Sequence, residues 1–237
     1  MKQGNLVGDF QVPPHPKGIS IDGRRVTLKP LIASQFAEEL FLSNSIDKDG
    51  TNWAYLPYGP FEILETYSQW IKSFEGKEDP VFFAIISKKL KKAIGIASYL
   101  RINPKDGSIE VGHINYSPLL QRTTEATEAM FLMMKWAFDN GYRRYEWKCN
   151  ALNLKSRKAA QRLGLSYEGV FRQATMSKGR NRDTAWFAAI DKEWPDLKTR
   201  FEKYLSSKNF TVGGVPKVSL TELNKRHLYK EDNYESS

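Results

Sequence analysis

The amino-acid sequence predicts an α/β (α+β) fold, a mixed and mostly antiparallel sheet flanked by helices, and three observations carry that expectation. Residues 81–116 read as three strands joined by tight turns, an antiparallel meander. A segment with helical spacing of apolar residues follows, from Thr124 to Asn140. Strand and helix then alternate once more before a closing pair of strands. With 237 residues, 41% hydrophobic and 13% aromatic, the chain can build one large core. It divides into an extended arm over 1–22, a folded domain over 23–205 and a polar tail over 206–237.

Prolines 13, 14 and 16 block both helix and ladder pairing and keep the arm extended. "RRVTLKPL", Arg24 to Leu31, alternates as a strand, and "SQFAEELFLSNS", Ser34 to Ser45, reads as a short helix capped by Ser34. "NWAYLPYGPF", Asn52 to Phe61, sets four aromatics among two prolines and a glycine and must be a shaped loop. Its Trp53, Tyr55 and Tyr58 either fold over the core or form a lid on a substrate cleft. A helix, "ILETYSQWIKSF", follows it. The meander comprises Val81–Ser87, Ala93–Ile102 and Ser108–Tyr116.

The helix from Thr124 opens on Gln121, Arg122 and Thr123, where free backbone N–H groups, a guanidinium and hydroxyls can cradle an anion. A plain cap by Thr123 or Thr124 explains the same residues. "YRRYEWKCNA" alternates Tyr145, Trp147 and Cys149 on one face with Glu146, Lys148 and Asn150 on the other. A helix over "NLKSRKAAQRLG" starts at Asn153 and stops at Gly164. Two strands around "SKGRNRD" and a last helix over "EWPDLKTRFEKYLSS" complete the domain, and the tail is expected to be largely disordered or loosely docked.

A net charge of +9 suits an acidic or phosphorylated ligand, a cofactor with phosphates, or attraction to nucleic acid or ribosomes. One cysteine, Cys149, excludes an internal disulfide and fits a reducing compartment, cytoplasmic or nuclear. His15, His113 and His227 are too scattered for a metal cluster, so no metal is expected. The longest apolar run, "VFFAII", is too short to cross a membrane, and no membrane partner is expected. The sequence holds neither an RNA-recognition motif nor an evident stacking platform, so nucleic acid is not the expected ligand.

Four motifs in order resemble the GNAT acetyltransferase superfamily over about Gly23 to Trp194: "EVGH" at Glu110–His113, "LQRTTEATEA" at Leu120–Ala129, "NLKS" at Asn153–Ser156 and "LGLSYEG" at Leu163–Gly169. The pattern is nearest the ribosomal-protein alanine acetyltransferase branch. The resemblance implies a sheet splayed around acetyl-CoA, with the cofactor's pyrophosphate on the helix start formed by Gln121, Arg122, Thr123, Thr124, Glu125 and Ala126. Arg122 and Thr124 stand where the family has glycines. Asn153 would contact the pantetheine arm, and Ser156 would lie near the thiol.

The implied reaction is direct attack of an amine on the thioester, the acceptor being a protein N-terminus or a small-molecule amine. Glu110 or Glu146 would take the amine proton, and a backbone N–H near His113–Asn115 would bind the carbonyl oxygen. Trp53, Tyr55, Tyr58 and His113 would meet the acceptor. A second reading is a GNAT-shaped binding protein for CoA, a ribosome or another anionic partner. An edge strand near the C-terminus could pair with another copy as a homodimer.

Overall fold

The computed structural model describes residues 3–234. Eight strands form one sheet: β1 (Ile21–Asp22), β2 (Val26–Pro30), β3 (Val81–Ser87), β4 (Lys92–Asn103), β5 (Ser108–Tyr116), β6 (Arg144–Asn150), β7 (Ser166–Ser177) and β8 (Arg180–Ile190). Their spatial order is β1-β2-β3-β4-β5-β6-β8-β7, so β8 lies between β6 and β7, and β7 is an edge. All neighbouring pairs are antiparallel except β5 with β6. Among the described residues six α-helices accompany it: α1 (Ala33–Asn44), α2 (Leu64–Lys72), α3 (Thr124–Asp139), α4 (Leu154–Arg162), α5 (Trp194–Leu205) and α6 (Leu220–Lys225).

The apolar run of β3 has no period-two pattern because both of its faces are covered. Val81, Phe83 and Ile85 join the core beneath α3 and α5, whereas Phe82 and Ala84 join an aromatic core with α1, α2 and the loop before α2. Trp53 belongs to that second core and is buried, with ring contacts to Tyr58, Phe61 and Tyr67. The shaped loop is therefore held by its own aromatics against the sheet.

Three expectations change. Helix α1 is not capped by Ser34; its first N–H, that of Ala33, donates to Glu75 Oε1 at 2.6 Å, so the far end of the α2 segment supplies the cap. The arm also lies against the body: Pro13 and Pro16 are buried, and the Tyr142 hydroxyl donates to the Pro14 carbonyl at 3.1 Å. The tail up to residue 234 is docked rather than loose. Leu220 and Asn224 are buried, and Asp232 forms a fully buried bidentate pair with Arg157 of α4, at 2.7 and 2.6 Å. Ser219 and Glu222 make a capping box that starts α6.

Candidate active site

The site arises where β5 and β6 part company. Their parallel pairing runs only from Ser108↔Arg144 to Val111↔Trp147, after which the strands diverge. Beyond that point β5 carries one extra residue against β4, because Asn115 pairs with Ile96 and Gly112 with Ser98, and His113 takes a left-handed φ of 50°. The bulge turns β5 away from β6. A cleft of about 1740 Å³ opens there, walled by β5, β6, β8, the starts of α3 and α4, and the loop around Tyr55.

At one end stand two helix starts. Thr123 caps α3, its hydroxyl accepting from the Ala126 N–H at 3.1 Å and donating to the Leu120 carbonyl at 2.6 Å. The N–H groups of Arg122, Thr124 and Glu125 donate to nothing among the described residues, and of these three residues only Arg122 lines the cleft. Arg122, where the family has glycine, keeps a left-handed φ of 60°, so the glycine-like turn persists with a guanidinium on it. Asn153 caps α4 by accepting from the Ser156 N–H at 3.1 Å, and the Ser156 hydroxyl accepts from the Trp147 indole at 3.0 Å. That contact leaves the hydroxyl hydrogen of Ser156 to be donated elsewhere.

Some expected contacts are absent here. Thr124 and Glu125 do not line the cleft, and Glu125 instead accepts a hydrogen bond from Ser87 at 2.6 Å. The Gln121 amide lines it but is engaged with Asn52 and the Tyr116 carbonyl. Trp53 and Tyr58 also stand behind the wall, because the aromatic core claims them; Tyr55 alone of the three lines the cleft. Tyr58 reaches the site indirectly, its hydroxyl 2.9 Å from His113 Nδ1 with the two rings stacked. Burial, followed by the charges of Arg101 and Arg182, lowers the His113 pKa to about 4, so its imidazole is neutral at pH 7.

The other end is assembled by strand register. Glu110 faces Glu146 across β5 and β6, Glu146 faces Ala188, and Lys148 faces Trp186. Alternation along each strand then puts Glu110, Glu146, Lys148, Trp186, Thr184 and Arg182 on one face of the sheet. Lys148 Nζ bridges the two carboxylates, 2.9 Å from Glu110 and 2.8 Å from Glu146, and sits 3.7 Å from the centre of the Trp186 ring.

The two glutamates nevertheless differ. Burial dominates at Glu110 and raises its pKa despite Arg101 and Lys148. At Glu146 burial is outweighed by the hydrogen bonds from Lys148 and Arg144, and the pKa is lowered. Glu110 lines the cleft; Glu146 does not, since Arg144 holds it at 2.6 Å on the side toward Glu168. Cys149 is buried, and burial pushes its thiol up to about 11, which fits a packing role. Arg101, Lys148, Arg182 and Trp186 line the cleft as well, although no motif marks them. Only the polar alternation around Lys148 was visible.

A sheet splayed between two parallel strands, with two helix starts at the gap, defines an acyl-CoA-dependent transferase. The comparisons give the family. A model of the acetyltransferase (GNAT) domain matches residues 25–166. A GCN5-related N-acetyltransferase from Brucella melitensis is 40% identical with a TM-score of 0.89, over 92% of this chain and 99% of that one. An acetyltransferase assigned to the GNAT family, from Chromobacterium violaceum, is 37% identical with a TM-score of 0.76, over 82% and 98%. A structure assigned as a ribosomal-protein-serine acetyltransferase from Vibrio cholerae shares the fold at 18% identity, with a TM-score of 0.61 over 73% and 97%. A comparison with curated protein sequences finds no match. The chain belongs to the GNAT acetyltransferase family and is an N-acetyltransferase, with acetyl-CoA as the donor that family uses. No helix among the described residues is long and apolar enough to cross a membrane.

Proposed function

We infer that the chain moves an acetyl group directly from acetyl-CoA to a primary amine, on a protein N-terminus or a small molecule, with Glu110 as the base. The observation that carries this reading is a buried carboxylate with a raised pKa that lines the cleft where β5 and β6 separate. The amine lone pair attacks the thioester carbonyl carbon, the C–S bond breaks, and the amine proton passes to Glu110 through water. Backbone N–H groups around the β5 bulge are suited to stabilise the carbonyl oxygen as charge develops on it. The Ser156 hydroxyl, which accepts from Trp147 and lies beside the Cys149 thiol, would turn its hydrogen to the departing thiolate.

Gln121, Arg122 with its free backbone N–H, Thr123 and Ala126 suit the pyrophosphate, and Asn153 suits the pantetheine amides. An α-amine, with a reference pKa of about 8, asks less of the base than a lysine at about 10.4. Glu110→Gln tests the assignment. We expect turnover, followed as thiol release, to fall while CoA affinity holds. Turnover within a few-fold in a Glu110→Gln, Glu146→Gln double variant would remove both carboxylates from the mechanism.

A further inference from the structure

The charged side chains at the β5–β8 end of the cleft are held in a network of ion pairs and hydrogen bonds, with a single exception among those that line it. Arg101 and Lys148 both contact Glu110, and Lys148 also contacts Glu146. Arg144 holds Glu146 and grips Glu168 with two hydrogen bonds at 2.8 and 2.6 Å. Asp79 accepts from the backbone N–H groups of Arg101 and Ile102, and Asp183 from the Gln173 N–H and the Asn181 amide. The Arg182 side chain has no hydrogen bond and no ion pair among the described residues.

Its position makes that vacancy informative. Arg182 lies on β8 beyond the last residue of β6, because Asn150 pairs with Thr184, and it lines the cleft on the face that carries Glu110 and Lys148. Its Nε is buried without a partner, as is the indole nitrogen of Trp186 two positions along the same face. The Trp186 ring meets both Lys148 and the exposed ring of Phe171, the latter tilted by 34° at 4.6 Å. A half-buried guanidinium is costly unless something pairs with it, and every nearby carboxylate of the chain is already used.

We propose that the acceptor amine carries a carboxylate, which Arg182 binds at the β8 edge of the cleft while the amine is presented to Glu110. Arg182 is then a specificity-determining residue of the acceptor site. One unpaired guanidinium matches one unit of negative charge, and its planar fork matches a carboxylate in two-point contact. The aromatic surface of Trp186 and Phe171 would cover the apolar part of the same molecule. This inference rests on the transferase reading above.

The test uses the whole chain with CoA present and a panel of N-acetyl amino acids against their carboxamides, product-like pairs that differ only in the carboxylate. Calorimetry on the native protein should give at least tenfold tighter binding for the acid of the best pair. Arg182→Gln should bring acid and amide within about twofold, and Arg182→Lys should restore part of the preference, which a merely unfolded variant would not do. Acid and amide bound alike by the native protein, or by neither member of any pair, overturns the proposal, as does a preference that survives Arg182→Gln. CoA binding is read in the same titrations: its absence would sink the transferase reading, whereas CoA binding without acid preference sinks the Arg182 site alone.

Discussion

At the α3–α4 end of the cleft the polar groups come from two helix starts, each contiguous in sequence, Gln121–Ala126 and Asn153–Ser156. At the β5–β8 end Arg101, Glu110, Lys148, Arg182 and Trp186 come from four strands. The first end is made of backbone N–H groups whose direction is fixed by the helix itself, with Thr123 and Asn153 as caps. The second is made of long charged side chains held only by one another. Local structure makes a robust anion site; a network of ion pairs makes a site whose pKa values depend on every member.

That contrast predicts where a single substitution acts. The largest effect is expected at the strand end, where Glu110→Gln should lower kcat on the order of 10²- to 10⁴-fold, the usual worth of a positioned base. Glu146→Gln, behind the wall, should stay within a few-fold, and equal losses would show that the pair acts as one unit. Because Glu110 has a raised pKa and acts when ionised, kcat should fall as pH drops through that pKa, above the ordinary carboxylate value of 4.5. A kcat profile in native protein and in Glu146→Gln locates that limb.

Among the long-range supports of the helix end is the Arg157–Asp232 pair, whose side chains are 1% and 0% exposed. Arg157 also donates to the Ala151 carbonyl at 2.8 Å and so ties down the turn before α4. Asp232→Asn should cost about 3 kcal/mol, as breaking a buried pair does. For a chain of this size that is a Tm lower by roughly 6–12 °C in a thermal melt. A loss below about 1 kcal/mol would mean that α4 stands without the tail.

A smaller effect separates strain from charge at the α3 start. Arg122→Gly should remove left-handed strain of about 1 kcal/mol and raise Tm by roughly 2–4 °C. The same variant should weaken CoA binding, measured by calorimetry, because the guanidinium is lost. Tighter binding would show that the arginine obstructs the phosphate instead. Thr124→Gly is the less informative change, since Thr124 is an ordinary helical residue outside the cleft lining.

A separate, pH-dependent signal is expected at His113. With its pKa near 4 in the fold and 6.5 when unfolded, the unfolded chain binds the extra proton between those values, so stability falls as pH drops from 6.5 through 4. An NMR titration should show its imidazole unprotonated down to about pH 5. An inflection near 6.5 would mean that Tyr58 and the bulge do not bury it.

Much of the fold was legible because its signals are local. The run Val81–Ser87 and the segment Ser108–Tyr116 match their strands end to end, and Thr123 and Asn153 cap their helices as hydroxyl and amide side chains do. Ser219–Glu222, an S-x-x-E box, was equally local and would have revealed α6 within the tail. The aromatic content around Trp53 and Tyr58 is compatible with a lid or a core and cannot tell one from the other.

By itself the sequence determined most of the segments that are helix or strand, which face of β6 is polar, and the capped starts of α3 and α4, because periodicity and capping act over a few residues. Only the tertiary structure decided which strands become neighbours. Inserting β8 between β6 and β7 brings Arg182 and Trp186 beside Lys148, and parallel pairing sets Glu110 opposite Glu146. Docking residue 232 onto Arg157 spans 75 positions of chain. Period-two alternation tells a side chain which face to take but carries no information about the strand next to it, so the ion-pair network and its unpaired arginine exist only once the sheet has closed.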